Sequence, residues 1–316
     1  RTPGYPFFLA IFQGLLKLSI NGVLLIQILL TLLVALITYR AAYQIDHEIA
    51  FLSAVIILFD PAVSIFSLML LSETLLLFLV SLFMLVFIMY LKNNKINFVI
   101  VSALLLIMTA FVRPITYYLG IAVSIFIIYA NLRLKNIKKG IIHALVFCVL
   151  VYSFFGIWEF RNYRRTGQRA FSSAVQGIPN AFGLTSGFTK NKDPRPLKEG
   201  PVAYYMNTAS RCFLSLMTRP GPFKYFNSSV ISVIGRIFAY PWMIFWMLGF
   251  IIGIFKIRGN IYYQFVLMLI AYFIFASIFG VGLMVSERFR VPMFSLIAVI
   301  SALGWVKIKN YLSRND

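Results

Sequence analysis

The sequence is poor in acidic residues. Nine Asp and Glu stand against 29 Lys and Arg, giving a formal net charge of +20. Charge of either sign is thin: 12% of the chain is charged, where a soluble domain carries about a quarter. There are two cysteines, Cys148 and Cys212, and two histidines, His47 and His143. Two distant cysteines make neither a disulfide framework nor a metal-ligand spacing. The histidines show no ligand pattern either. Zinc motifs, a P-loop, a nucleophile elbow and any repeat of fixed period are all missing. Cys148 lies in an apolar run and reads as a small core residue. His143 opens an apolar helix beside a basic loop and reads as interfacial.

The basic excess does not point to nucleic acid. Lys and Arg fall mostly in short clusters between apolar runs, as the loop charges of a membrane protein do. No RNA-binding or helix-turn-helix signature accompanies them.

What the chain has in quantity is apolar length. It is 61% hydrophobic, with mean hydropathy +0.88. One soluble core could not hide that much apolar surface. Runs near the bilayer-spanning length of ~20 residues recur along the whole chain. The expected fold is an all-α polytopic membrane protein with about nine transmembrane helices and one external insert.

An amphipathic or interfacial piece covers 5–18, and spans are expected at 22–39, 49–59, 72–91, 97–112, 115–131, 140–158, 236–256, 261–280 and 289–307. The second ends at the Asp-Pro of "ILFDP", because Pro61 lacks an N–H and disfavours a helical residue before it. Threading these as crossings puts Arg40, Lys92, Lys95, "NLRLKNIKKG", "FKIRGN" and the tail on one side, which is therefore cytoplasmic. Three regions follow: a membrane region 1–158, an external loop domain 159–235, and a membrane region with tail 236–316. The Pro, Gly and Asn density of the loop marks turns.

With nine carboxylates, each can be placed. Asp60, Glu73, Glu159 and Glu287 fall at the external ends of spans, and Arg1, Arg113, Arg161, Arg288 and Arg290 crowd the same boundary. Glu73, in "LLSETLLLFLV", follows Ser72, a good N-cap residue, and sits in a first helical turn. A carboxylate there is favoured by the orphan N–H groups and the helix dipole. Asp60 before Pro61 suits a cap or turn. Arginines near span ends also snorkel to headgroups. The constellation is more specific than its members. A cleft lined by arginines and a few carboxylates suits an amphiphile with a phosphate head. Guanidinium binds phosphate bidentately and stays charged, which also stabilises a departing phosphate.

Five stretches occur in order: "RTPGYPFFLAIF", "FDPAVSIFSLMLLSETLLLFLV", "ALLLIMTAFVRPITYYL", "FGIWEFRNYRRTGQ" followed by "FSS", and "SERFRVPMFSLIAVI". As an ordered set they resemble bacterial GT-C glycosyltransferases of the dolichyl-phosphate-mannose protein mannosyltransferase and aminoarabinose transferase type. The resemblance spans essentially the whole chain. It implies an integral enzyme of the inner cell membrane with its site on the periplasmic or outer face. Such an enzyme moves a sugar from a polyprenyl-phosphate carrier to a glycan, lipid or protein acceptor, usually with inversion. The family's main catalytic Asp lies in the first outer loop. Arg1-Thr2-Pro3-Gly4-Tyr5-Pro6 looks like the later part of that loop, so the Asp is expected upstream of Arg1. Within the chain, Glu73 and Asp60 are the catalytic candidates. Arg288, Arg290, Arg113 and Arg161 are the candidates for the donor phosphate, and Arg1, Tyr5 and Glu287 line the site. Arg288 and Arg290 match the family's E-R-[FY]-R-x-P stretch. The partners implied are the polyprenyl-linked sugar, its acceptor and membrane lipids, with no nucleic acid. No motif demands a cofactor, and divalent-metal dependence stays open because the family varies. The competing expectations are an O-antigen ligase or polymerase, and a non-enzymatic lipid or polysaccharide transporter.

Overall fold

The computed structural model describes residues 2–172, 201–223, 229–257, 259–281 and 285–313. Among these residues every regular element is a helix. The N-terminal piece is α1 (Gly4–Leu9), continued by one π-helical stretch, Ala10–Leu15. Then come α2 (Ile20–Ile45), α3 (His47–Leu58), α4 (Pro61–Ser67), α5 (Glu73–Asn93) and α6 (Ile96–Val112). After these follow α7 (Leu119–Arg133), α8 (Ile137–Thr166), α9 (Pro201–Thr218), α10 (Ser229–Lys256), α11 (Ile261–Val281) and α12 (Phe294–Leu312).

The all-α polytopic membrane fold is as the sequence implies, but the count differs. Seven of the described helices are long and apolar enough to cross a membrane, and α3 with α4 makes an eighth as a bent pair. The bend, 54°, falls at the Asp60-Pro61 step. There the pyrrolidine ring denies α3 a continuation while suiting the first turn of α4. The remaining expected span, 97–112, is α6, which runs from the Asn94 end of the bundle to the Glu73 end in 17 residues. At ~1.5 Å per residue that is roughly 25 Å, short of a ~30 Å hydrocarbon layer.

The enclosed element is α12, where every residue from Phe294 to Gly304 is buried. A helix apolar on all sides belongs inside a bundle. It packs against α10, α3, α2, α5 and α11. Many side chains of α2 and α8 remain exposed, among them Leu25, Leu29, Leu32, Leu145 and Val149. In a membrane helix, such residues face lipid.

Contacts sort the helix ends into two groups. At one end Lys92 donates to Gln44 (3.0 Å), Asn310 to Glu48 (2.8 Å), Asn94 to Asn131 (2.9 Å) and Arg133 to the Gly259 carbonyl (2.8 Å). This is the end that the loop charges assign to the cytoplasm. His143 lies towards it. It is buried, with Nδ1 3.1 Å from the Tyr90 hydroxyl, and Asn131 donates to the same hydroxyl. Cys148 is half-buried, with Sγ 3.1 Å from Ser124 Oγ.

The other end gathers α1, the start of α5, the end of α6 and the turns before α12. Thr2 donates to the Val112 carbonyl at 3.3 Å. Gly4 lies against the last turn of α6, where an added Cβ would meet the Phe111 carbonyl carbon and oxygen at 2.7 Å. Only glycine admits that backbone approach.

Candidate active site

Glu73 is the first residue of α5 and is fully buried. A buried carboxylate is tolerated only when it is paired. Two arginines pair it. Arg113 follows the last residue of α6, in the extended conformation that Pro114 imposes on its predecessor. Its Nη2 lies 2.8 Å from Glu73 Oε1. Arg288 sits in the 3-10 turn Glu287–Phe289, ahead of α12, and its Nε donates to the same Oε1. The Phe289 ring supports Arg113, with 5.4 Å from Cζ to the ring centroid.

The two guanidiniums differ in access. The Arg113 side chain is 17% exposed and that of Arg288 is 35% exposed, so Arg288 is the more open to a ligand. Two cations and one anion leave the cluster one positive charge in excess. Glu73 Oε2 is buried and has no hydrogen-bond partner among the described residues.

Ser72 does not cap α5. It has helical dihedrals and makes no side-chain cap bond. Its hydroxyl instead accepts from Arg113 Nε at 3.1 Å. The demand of the guanidinium fork replaces the capping role expected from the sequence.

Asp60 is buried and caps α4, its Oδ1 accepting from the Val63 N–H at 2.9 Å. It also feels the charge of Arg290. Arg290 is buried as well, with 1% exposed. Its Nη1 donates to three carbonyls at the end of α9, those of Leu216 (3.1 Å), Met217 (3.0 Å) and Arg219 (2.9 Å). The last carbonyls of a helix have no intrahelical partner, so a cation there satisfies both the hydrogen bonds and the dipole. The guanidinium lies over Trp246, 5.1 Å from its centroid. Arg290 thus holds a piece of the insert against the membrane bundle. Glu287 is buried, 3.9 Å from Arg219 Nη1.

Tyr5 joins the group from α1. Its hydroxyl donates to Gln27 Oε1 at 3.0 Å. Burial, and then the charge of Glu73, push that hydroxyl up to about 12, so it stays protonated at neutral pH. Gln27 is a residue that the sequence reading passed over. It is buried in α2, and its Nε2 donates to the Ser67 and Met69 carbonyls at 3.0 and 2.7 Å. It therefore fixes the turn that delivers Ser72 and Glu73. The available signal was one amide in the apolar run "VLLIQILL". Glu159, another boundary carboxylate, accepts from Tyr117 at 2.7 Å.

Arg161 is not brought to the cluster. It is exposed, stacked on Trp158 at 4.3 Å and donating to Asn162. Arg1 lies outside the described residues, as do 173–200 and 224–228 of the expected external loop. Among the described residues, no group of three or more His, Cys, Asp or Glu is placed to hold a metal ion.

The model of the dolichyl-phosphate-mannose-protein mannosyltransferase family matches residues 1–158. The chain belongs to that family. Its matched half carries Tyr5, Gln27, Asp60, Glu73 and Arg113. Arg288 and Arg290 lie beyond it in sequence, and the fold of this GT-C family member returns Arg288 to Glu73. The chain is also similar in fold to the archaeal oligosaccharyltransferase AglB from Archaeoglobus fulgidus, solved with an inhibitory peptide and a dolichol-phosphate. The TM-score is 0.55 at 12% identity over 99% of this chain, which spans 43% of the AglB chain. A search of curated protein sequences finds no match.

Proposed function

We propose that this chain is a membrane glycosyltransferase component that takes a sugar from a polyprenyl-phosphate donor at the outer face of the cell membrane. The sugar goes to a lipid, glycan or protein acceptor, and attack opposite the phosphate inverts the anomeric carbon. The observation carrying this reading is the convergence of Arg113 and Arg288 on buried Glu73 in a member of this family.

The geometry supports the following roles. The donor phosphate meets Arg288, the more accessible guanidinium, with Arg113 beside it. A phosphate leaving group gains negative charge as the glycosidic bond breaks, and fixed cations stabilise that charge without reorganising. Glu73, enclosed by its two arginines, sets their spacing; it is better placed for this than for taking a proton from an acceptor. Asp60 and Arg290 support the site from behind, through α4 and α9 respectively. The carrier's apolar chain runs between helices, where each buried CH₂ contributes about 0.8 kcal/mol.

Transfer of radiolabelled sugar from a polyprenyl phosphate, with the intact protein in detergent, tests the reading. Transfer to an added acceptor supports it. Carrier movement in liposomes with no transfer would replace it with a transporter.

A further inference from the structure

At the end of the bundle opposite Glu73 lies a cavity of about 440 Å³. Ile45, Asp46, Lys256, Asn260, Tyr263, Leu303 and Lys307 line it. It lies just beyond a close seam between two helices. Gly253 and Gly304 bring α10 and α12 into backbone contact: a Cβ on Gly253 would meet the Ile300 carbonyl oxygen at 2.1 Å, and one on Gly304 the Gly249 carbonyl oxygen at 2.0 Å. Small residues permit that seam. Lys256 and Lys307 each lie three residues beyond their glycine, one turn past the seam, and both border the cavity.

The lining is rich in uncommitted donors. Neither lysine makes a hydrogen bond or ion pair among the described residues. The Asn260 oxygen accepts from the Tyr262 N–H at 2.9 Å, which leaves its –NH₂ as a donor. Tyr263 is 5% exposed, and its hydroxyl is buried without a partner. A buried hydroxyl with no partner is costly, so this one needs an acceptor. Asp46 supplies the single negative charge of the wall, and its Oδ1 is occupied in capping α3 through the Glu48 N–H at 3.0 Å. The N-terminus of α11, just after Asn260, adds its own preference for an anion.

We infer that this cavity binds a phosphate group, offered by an anionic phospholipid headgroup or by free phosphate. Two lysines, an amide and a buried phenol border the one cavity, where an acceptor-rich anion would meet them together. Basic pockets between transmembrane helices bind lipid headgroups by this chemistry.

The test uses the intact protein in detergent. Native mass spectrometry counts retained dioleoylphosphatidylglycerol against dioleoylphosphatidylcholine, and a thermal shift is read with inorganic phosphate. A lysine near an anionic headgroup gives about a five-fold gain, so Lys256→Gln with Lys307→Gln lowers retention by roughly 10- to 30-fold. The Lys256→Arg with Lys307→Arg pair keeps it, which separates charge from misfolding. Asp46→Asn raises retention, because Asn caps a helix as well as Asp does and removes the opposing charge. Phosphatidylglycerol selectivity lost in the Gln pair identifies a lipid source. A phosphate-induced shift lost in that pair, without lipid selectivity, identifies free phosphate. Equal retention of both lipids with no phosphate shift, or a Gln pair that behaves as wild type, overturns the inference. None of these readouts depends on sugar transfer.

Discussion

Arg113 and Arg288, far apart in sequence, share one oxygen of Glu73. Arg113 reaches it from the end of α6 and Arg288 from the turn ahead of α12. The carboxylate thereby joins three chain segments at one end of the bundle and sets the distance between two guanidiniums.

Removing that carboxylate leaves two cations facing each other in a poorly hydrated place. Glu73→Ala is expected to destabilise the protein by about 3–5 kcal/mol, the usual cost of breaking a buried pair. Thermal unfolding in detergent measures it. Glu73→Asp, one methylene shorter, is expected to recover much of the stability and less of the activity, because it shifts the arginines.

Ser72→Ala separates two readings of one hydroxyl. A lost N-cap costs about 1 kcal/mol of helix stability. Here the hydroxyl contacts Arg113 and not the α5 backbone, so the unfolding midpoint is expected to stay near wild type while sugar transfer falls several-fold.

Gln27→Leu removes the acceptor of Tyr5 and leaves two carbonyls of the α4–α5 turn unmatched. A buried group without a partner costs about 1–3 kcal/mol, so the destabilisation is expected in that range. Tyr5→Phe, which loses one bond, should cost about 0.5–1.5 kcal/mol.

Arg290→Met frees the last carbonyls of α9. The expected outcome is faster proteolytic cleavage within the insert, with the membrane bundle intact. Arg290→Lys, whose ammonium carries three donors, should fall between the two.

The helical membrane class was legible in composition and run length, because lipid demands apolar length from any helix that crosses it. The end of α3 at Asp60-Pro61 was legible from the proline, but the helix α4 that resumes directly after it was not. The convergence of Arg113 and Arg288 on Glu73 was not legible either, since nothing local says which boundary arginines meet. Arg161 also stands at the end of an apolar run, yet it is exposed and stacks on Trp158. Ser72 had the composition of a cap and became a guanidinium partner, because a long-range contact outweighed a local preference. Gln27 looked like one polar interruption in a span until the fold placed the Ser67 and Met69 carbonyls beside it.

The central claim is that Arg288 holds the donor phosphate while Glu73 and Arg113 hold Arg288. The direct measurement is the rate of sugar transfer from a polyprenyl-phosphate donor by the intact protein carrying Arg288→Ala, at matched expression and with unfolding temperature recorded. The expected result is loss of transfer by at least about 100-fold, as for removal of one charge-stabilising donor from an active site, with the protein still folded. Wild-type transfer by that variant would contradict it and remove Arg288 from the site.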